Sequence, residues 1–219
     1  MAQIFNRTAD AWLRLFLVAV ALGVPGGLVL LAVFAVHPTQ YGAALGVAPQ
    51  QPVPFSHRHH AGELGISCVN CHVSAERAPS AGYPPVETCM ACHSQIWTDA
   101  AALEPVREAW LTGEPLAWNR VHDLPDFVYF HHGVHVQAGV ACASCHGDVT
   151  RMPLIEKAQP LTMRFCLECH RDPHPRLVAR GAVYDPHPAS DGDERLALFM
   201  AAARIQAPDE LDSCNACHR

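Results

Sequence analysis

The sequence predicts a mainly α and irregular fold of repeated modules behind one N-terminal transmembrane helix. Three observations predict it. An uncharged apolar run of helical length stands close to the N-terminus. Eighteen prolines and fourteen glycines divide the remainder into short elements. No stretch reads as a convincing strand.

The 219 residues allow one domain or two small ones. Half of the chain is apolar, only 7% is aromatic and 16% is charged. A net charge of −6 leaves no basic face and excludes a nucleic-acid partner. Nearly all positive charge is arginine, with Lys157 the single lysine.

Residues 1–14 are read as a cytoplasmic N-terminus. From Leu15 to Val36 the chain carries no charge, and the run is long enough to cross a hydrocarbon core of roughly 30 Å. Arg7 and Arg14 precede it and the next basic residue is Arg58. That asymmetry leaves the N-terminus in the cytoplasm and sends the rest to the periplasmic side of the inner membrane, as a single-pass protein. The competing reading is a cleaved signal peptide with a small-residue site at Val33-Phe34-Ala35. The run is longer than the usual apolar region of such a peptide, roughly 7–15 residues, which favours an uncleaved anchor. Pro25-Gly26-Gly27 is expected to kink it. His37 then falls at the membrane edge, and residues 37–54 read as a proline-rich tether.

All ten cysteines fall into one pattern. The units are Cys68-x-x-Cys71-His72, Cys89-x-x-Cys92-His93, Cys142-x-x-Cys145-His146, Cys166-x-x-Cys169-His170 and Cys214-x-x-Cys217-His218. They sit in an internal repeat. Phe55-x-His57-x-x-His60 precedes Cys68, and Phe130-x-His132-x-x-His135 precedes Cys142. The domain 55–219 thus divides into modules 55–121 and 122–180, with a last unit in 181–219. Pro105 and Gly113 bound a short helix over Glu104–Thr112, and a second helix is read over Asp193–Ile205.

Cys-x-x-Cys-His is the attachment signature of c-type haem. Two thiols add to the porphyrin vinyl groups and the following histidine lies under the iron. Zinc ribbons and disulfides also use paired cysteines, but neither needs histidine directly after the second one. The sequence therefore predicts five covalently bound haem c groups. Their proximal ligands are His72, His93, His146, His170 and His218. Residues three apart on a helical turn face the same way, so each His-x-x-His pair serves two irons. His57, His60, His132 and His135 are the expected distal ligands, with His59 and His131 as spare neighbours. For the fifth iron His122 is the leading candidate and Met152 and Met163 are alternatives, with His174 and His187 behind them. Arginines close to these residues (Arg58, Arg120, Arg151, Arg164, Arg171, Arg219) suit bidentate clamping of propionates. No catalytic residue is expected.

The anchor, the five units, "FSHRHHAGELGISC", "RVHDLPDFVYFHHGVH" and "MRFCLECHRDP" together resemble the membrane-anchored pentahaem cytochrome subunit of alternative complex III. The His-x-x-His modules are also similar to small multihaem cytochromes of the c7 and c3 kind. The resemblance implies an electron-transfer subunit of a quinol-oxidising membrane complex, respiratory or photosynthetic. It implies as partners an iron–sulfur subunit of the molybdopterin type, polytopic quinol-binding subunits, a monohaem cytochrome c subunit, and a soluble electron carrier or terminal oxidase. Two other functions compete. A stand-alone quinol dehydrogenase, like the membrane-anchored tetrahaem cytochromes, would need its own quinol pocket. A multihaem reductase would leave one iron open and often uses Cys-x-x-Cys-Lys, which this chain lacks. The first prediction is direct. The denatured polypeptide should stain for haem peroxidase activity and carry the added mass of five porphyrins, and a porphyrin-free chain would contradict the reading.

Overall fold

The computed structural model describes residues 7–36, 44–188, 198 and 205–218. The helix read at 193–205 lies largely outside them, as do His37 and Arg219. The chain forms two units, Met1–Ala44 and Leu45–Arg219.

The first unit is one helix, α1, Arg7–Val36. It starts ahead of the apolar run because polar residues support its first turns. Asp10 stands in the first turn, where a negative charge is favoured, and bonds Arg14 one turn on at 2.9 Å. The helix runs on through Pro25. By length and composition Thr8–Ala35 could cross a membrane.

The second unit is built of short helices. Each attachment motif forms its own: α2 (Cys68–Cys71), α3 (Val86–His93), α6 (Cys142–His146), α7 (Met163–Arg171) and α9 (Cys214–Cys217). One helical turn places residues i and i+3 on a common face, which brings each cysteine pair to one side. The residue before each of these helices is extended, and Thr162 adds a side-chain cap to the Phe165 N–H of α7 at 3.4 Å. Between the motifs lie α4 (Glu104–Thr112), α5 (His132–Gln137) and α8 (Pro208–Leu211). A π-helical turn covers Arg58–Glu63. The α4 bounds are those the sequence predicts, and Gly113 ends the helix at φ 76°.

The two repeats fold alike at their turns. Gly65 and Gly139 both hold left-handed backbone, at φ 67° and 83°. The residue after each donates to the second histidine of its pair. The Ile66 N–H meets the His60 carbonyl at 3.0 Å, and the Val140 N–H meets that of His135 at 3.0 Å. The tether behaves differently from its sequence reading, because its later part is docked. Gly46 donates to the Lys157 carbonyl at 3.0 Å, Asn119 donates to the Gln50 carbonyl at 2.6 Å, and Val53 is buried. Polar Gln50 and Gln51 give this segment backbone and side-chain partners that prolines alone could not supply.

Among the described residues the only sheet-like pairings are two isolated bridges, Leu45 with Lys157 and Val140 with Leu177. The apolar core is sparse. Ala141, Val178 and Val183 cluster, with Val136, Ala182 and Tyr184 packed against them. Val53, Val106, Ala109, Met152 and Leu177 complete the buried apolar set. So few small side chains cannot offset the ordering of a unit this long. A chain of this composition needs a second source of apolar contact. Changing all ten cysteines to serine should therefore give a protein without a cooperative unfolding transition and open to protease. A protease-resistant apo-domain would show that the side chains suffice.

Candidate haem-binding sites

The candidate ligands gather in the second unit, and one pattern recurs in their rings. The centroids of His60 and His93 are 6.3 Å apart, those of His132 and His146 6.3 Å, and those of His135 and His170 6.1 Å. These separations are too long for direct contact. An imidazole nitrogen bonds a metal ion at about 2 Å, so two rings facing one ion from opposite sides stand roughly 6 Å apart. His57 is close enough to His72 and His60 for their charges to interact.

Within each pair of histidines a phenylalanine sets the geometry. Phe55 lies edge-on to His57 at 4.9 Å and against the face of His60 at 4.3 Å. Phe130 repeats this with His132 at 4.7 Å and His135 at 4.5 Å. These rings fix where both imidazoles point, and the recurrence of phenylalanine in the sequence was the sign of it.

Most of the imidazoles are also tied by backbone carbonyls. Nδ1 faces the carbonyl of Ser56 in His60 (2.9 Å), Gly82 in His72 (2.8 Å), Ile96 in His93 (3.3 Å) and Pro79 in His132 (2.7 Å). It faces that of His131 in His135 (2.9 Å), Leu211 in His170 (2.8 Å) and Phe127 in His218 (3.1 Å). A carbonyl only accepts, so Nδ1 carries the proton and Nε2 keeps its lone pair. This is the second-shell arrangement that orients a metal-ligating histidine. These carbonyls were not readable from the sequence, because any residue can supply one.

Burial keeps several rings neutral, as ligation requires. It lowers the pKa of His57 to about 4, helped by His72 and His60. It lowers His146 to about 3, with His122 and His132 adding to the effect. His135 is held down in the same way. The Nδ1 of His57 is buried without a partner. Burial also pushes the Cys145 thiol up to about 11. The Cys68 and Cys142 thiols act on each other, which drops Cys68 to about 6 and raises Cys142.

The other residues singled out in the sequence find ordinary places. His122 lies edge-on to His146 at 4.3 Å with its Nε2 buried and unpartnered, while the ring contact of His218 is with Phe127 at 5.8 Å. His122 thus lies beside the histidine of the third motif. Met152 is buried beside Gly147, and Met163 is exposed at the start of α7. His59 pairs with Glu63 at 2.8 Å, His131 caps α5, His174 opens a 3-10 turn, and His187 meets Asp148 at 3.0 Å. Arg58, Arg120, Arg164 and Arg171 reach the carboxylates of Glu63, Asp123, Glu168 and Asp212.

The residues fit haem c and do not fit a bare ion. Among the described residues no three His, Cys, Asp or Glu side chains converge as they would on zinc. None of the ten cysteines is in a disulfide, and each pair stands one helical turn apart next to a histidine. Haem bound there supplies reversible one-electron chemistry at iron. The chain's residues supply the thioether sulfurs, the axial nitrogens and the carbonyls that hold them.

These sites and the strand-poor helical fold are those of a multihaem c-type cytochrome, which is an electron-transfer protein, and two stretches of the chain are similar to known cytochrome families. Residues 128–219 match the family described as cytochrome c7 and related cytochrome c, and residues 33–116 match the class III cytochrome C family. The chain is similar to the menaquinone reductase multiheme cytochrome c subunit of Nitratidesulfovibrio vulgaris (Hildenborough), 34% identical over 98 residues. That match covers 44% of this chain and 46% of the relative. It is also similar to cytochrome c-552 of Porphyromonas gingivalis, 33% identical over 96 residues, or 38% of this chain and 18% of that one. The chain thus spans less than half the length of either relative.

Two outcomes follow from this geometry. His60→Ala or His135→Ala removes one ring from a pair, so magnetic circular dichroism should show one haem fewer in the low-spin state with porphyrin mass unchanged. Acid should act through the buried rings. The fold holds His57 and His122 at about 4, below the usual value of about 6.5 in the unfolded chain. Between these values the unfolded state binds more protons, so stability is full above pH about 6.5 and falls as pH drops towards 4. An acid titration of low-spin absorbance should lose signal across that window and show no loss on moving from pH 7 to 8.

Proposed function

We propose that this chain relays electrons through five haem c groups, one at each Cys-x-x-Cys-His, as the membrane-anchored cytochrome subunit of a quinol-oxidising complex of the alternative complex III kind. The observation that carries the relay is the set of ring pairs roughly 6 Å apart, each with its outer nitrogens tied to carbonyls where these are formed. Irons capped on both faces are closed to substrate and suited to electron transfer. His72, His93, His146, His170 and His218 serve as proximal ligands, and His57, His60, His132 and His135 as distal ones. For the fifth iron the leading candidate is His122, whose Nε2 is buried without a partner, with Met152 and Met163 as alternatives. The helix α1 anchors the chain, with the haem-bearing unit on the periplasmic side.

The partners proposed are an iron–sulfur subunit of the molybdopterin type, polytopic quinol-binding subunits and a monohaem cytochrome c, with a soluble carrier or terminal oxidase receiving the electrons. The similarity to a menaquinone reductase subunit favours one variant of this reading, in which electrons run towards the quinone. Affinity purification from the native membrane, followed by stopped-flow reduction with menaquinol, tests both. The complex should co-purify with such subunits and its haems should be reduced by menaquinol, while the isolated chain stays oxidised. Reduction of the isolated chain would instead support a stand-alone quinol dehydrogenase. Reoxidation of the complex by menaquinone, without reduction by menaquinol, would support the reversed direction.

A further inference from the structure

The two modules hold each other by the same contacts given in both directions. The Arg58 N–H, one residue after His57, donates to the Met152 carbonyl at 2.9 Å. The Gly133 N–H, one residue after His132, donates to the Ala78 carbonyl at 3.2 Å. Met152 and Ala78 each stand six residues beyond the histidine of an attachment motif, His146 and His72. The next contact repeats the rule. Gly62, five after His57, packs so close to the Thr150 carbonyl that a Cβ would lie 2.4 Å from its oxygen. Gln137, five after His132, donates from Nε2 to the Glu76 carbonyl at 3.0 Å. Thr150 and Glu76 each stand four residues beyond His146 and His72. Residue i of one module meets residue j of the other, while the counterpart of j meets the counterpart of i. This is the signature of an isologous, two-fold interface. On such an axis equivalent residues meet themselves, and the equivalent first cysteines, Cys68 and Cys142, lie close enough for each thiol to shift the other.

From this contact pattern we infer that the five attachment motifs lie in single file, in the spatial order second, first, third, fourth, fifth, with a pseudo-two-fold axis at the junction of the first and third. The inference rests on the proposed pentahaem relay and gives its path. The second motif joins the first through His60, which shares a turn with His57 and faces His93. The third joins the fourth through α5, whose His132 faces His146 and whose His135 faces His170. Among the described residues the fifth attaches to the fourth: Nδ1 of His170 meets the Leu211 carbonyl, and Arg171 bonds Asp212 at 3.1 Å. Its remaining ties go to the segment just ahead of α5, where the Tyr129 N–H donates to the Cys217 carbonyl at 2.8 Å. Electrons therefore cross between modules at the Cys68–Cys142 junction, and the second and fifth motifs are the two ends.

Locating the irons of the haem-loaded full chain, by anomalous diffraction or electron cryo-microscopy, tests the order. The first-motif iron should have those of the second and third as nearest neighbours, and the fifth-motif iron only that of the fourth. A first–third separation larger than the first–fourth, or an end iron placed in the interior, overturns the order. Gly133→Ala supplies a second test, because its Cβ would meet the Glu76 carbonyl oxygen at 2.9 Å. Spin–spin coupling between the first- and third-motif haems should weaken while the two within-module couplings persist. Gly181→Ala, which meets nothing within 4 Å, should change none of them. Loss of the within-module couplings along with the junction would overturn the assignment. Denatured mass separates the two ideas. Fewer than five porphyrins removes the pentahaem reading and the order with it, whereas five porphyrins in another sequence removes the order alone.

Discussion

The constraint on which the rest of this protein depends is a gap held open between imidazoles. In three places two histidine rings stand roughly 6 Å apart, too far to touch and well placed to share an ion. Nothing in the apolar core could hold such gaps, because that core consists of a few valines, alanines, a leucine and a methionine. Hydrogen bonds hold them instead. Each Nδ1–H bound to a carbonyl costs the ring its rotation and leaves Nε2 as the free donor atom for metal. The phenylalanine at the head of each pair then sets the two rings at different angles, one against its edge and one against its face. The short helices follow from the same demand. One turn already brings the two cysteines of a motif to one side, and the helices that carry the motifs run from four to nine residues.

How legible this was in the sequence differs by residue. The attachment motifs were readable because their chemistry fixes a spacing along the chain. So was α4, because Pro105 and Gly113 act on their own backbone and need no distant partner. The start of α1 was not, since its first turns rest on the Asp10–Arg14 pair rather than on apolar residues. The docked stretch after Leu45 was missed for a related reason: its partners, Lys157 and Asn119, lie far along the chain. The carbonyls of Gly82, Pro79, Leu211 and Phe127 could not be found at all from residue types. His122 shows the limit most sharply. Its neighbourhood in sequence suggested an unclaimed ligand, but only the fold reveals that its ring lies edge-on to His146 with Nε2 buried and unpartnered.

The arginines illustrate how two readings of one residue can coexist. Arg58, Arg120, Arg164 and Arg171 were expected to clamp propionates, and each reaches a carboxylate of the chain itself. All are largely exposed, and exposed pairs of this kind contribute little to stability. A contact so weak does not commit a side chain to one partner. Arg171 differs in kind, because its Asp212 lies next to the last attachment motif and the pair ties two motifs together.

That tie also breaks the symmetry of the modules. In the first module His93 takes its carbonyl from Ile96, three residues on, at the long distance of 3.3 Å. In the second, His170 takes the equivalent bond from Leu211, supplied by the C-terminal segment, at 2.8 Å. The last motif therefore occupies, at one end of the repeat, the role that a local loop plays at the other. A duplicated pair of modules has two equivalent ends and no preferred direction. Docking a fifth motif on one end alone makes the ends chemically different: a donor and an acceptor can then each recognise one of them. The asymmetry is local in its cause, a single borrowed carbonyl and one ion pair, and it is global in its effect, because it distinguishes the two ends of the repeat.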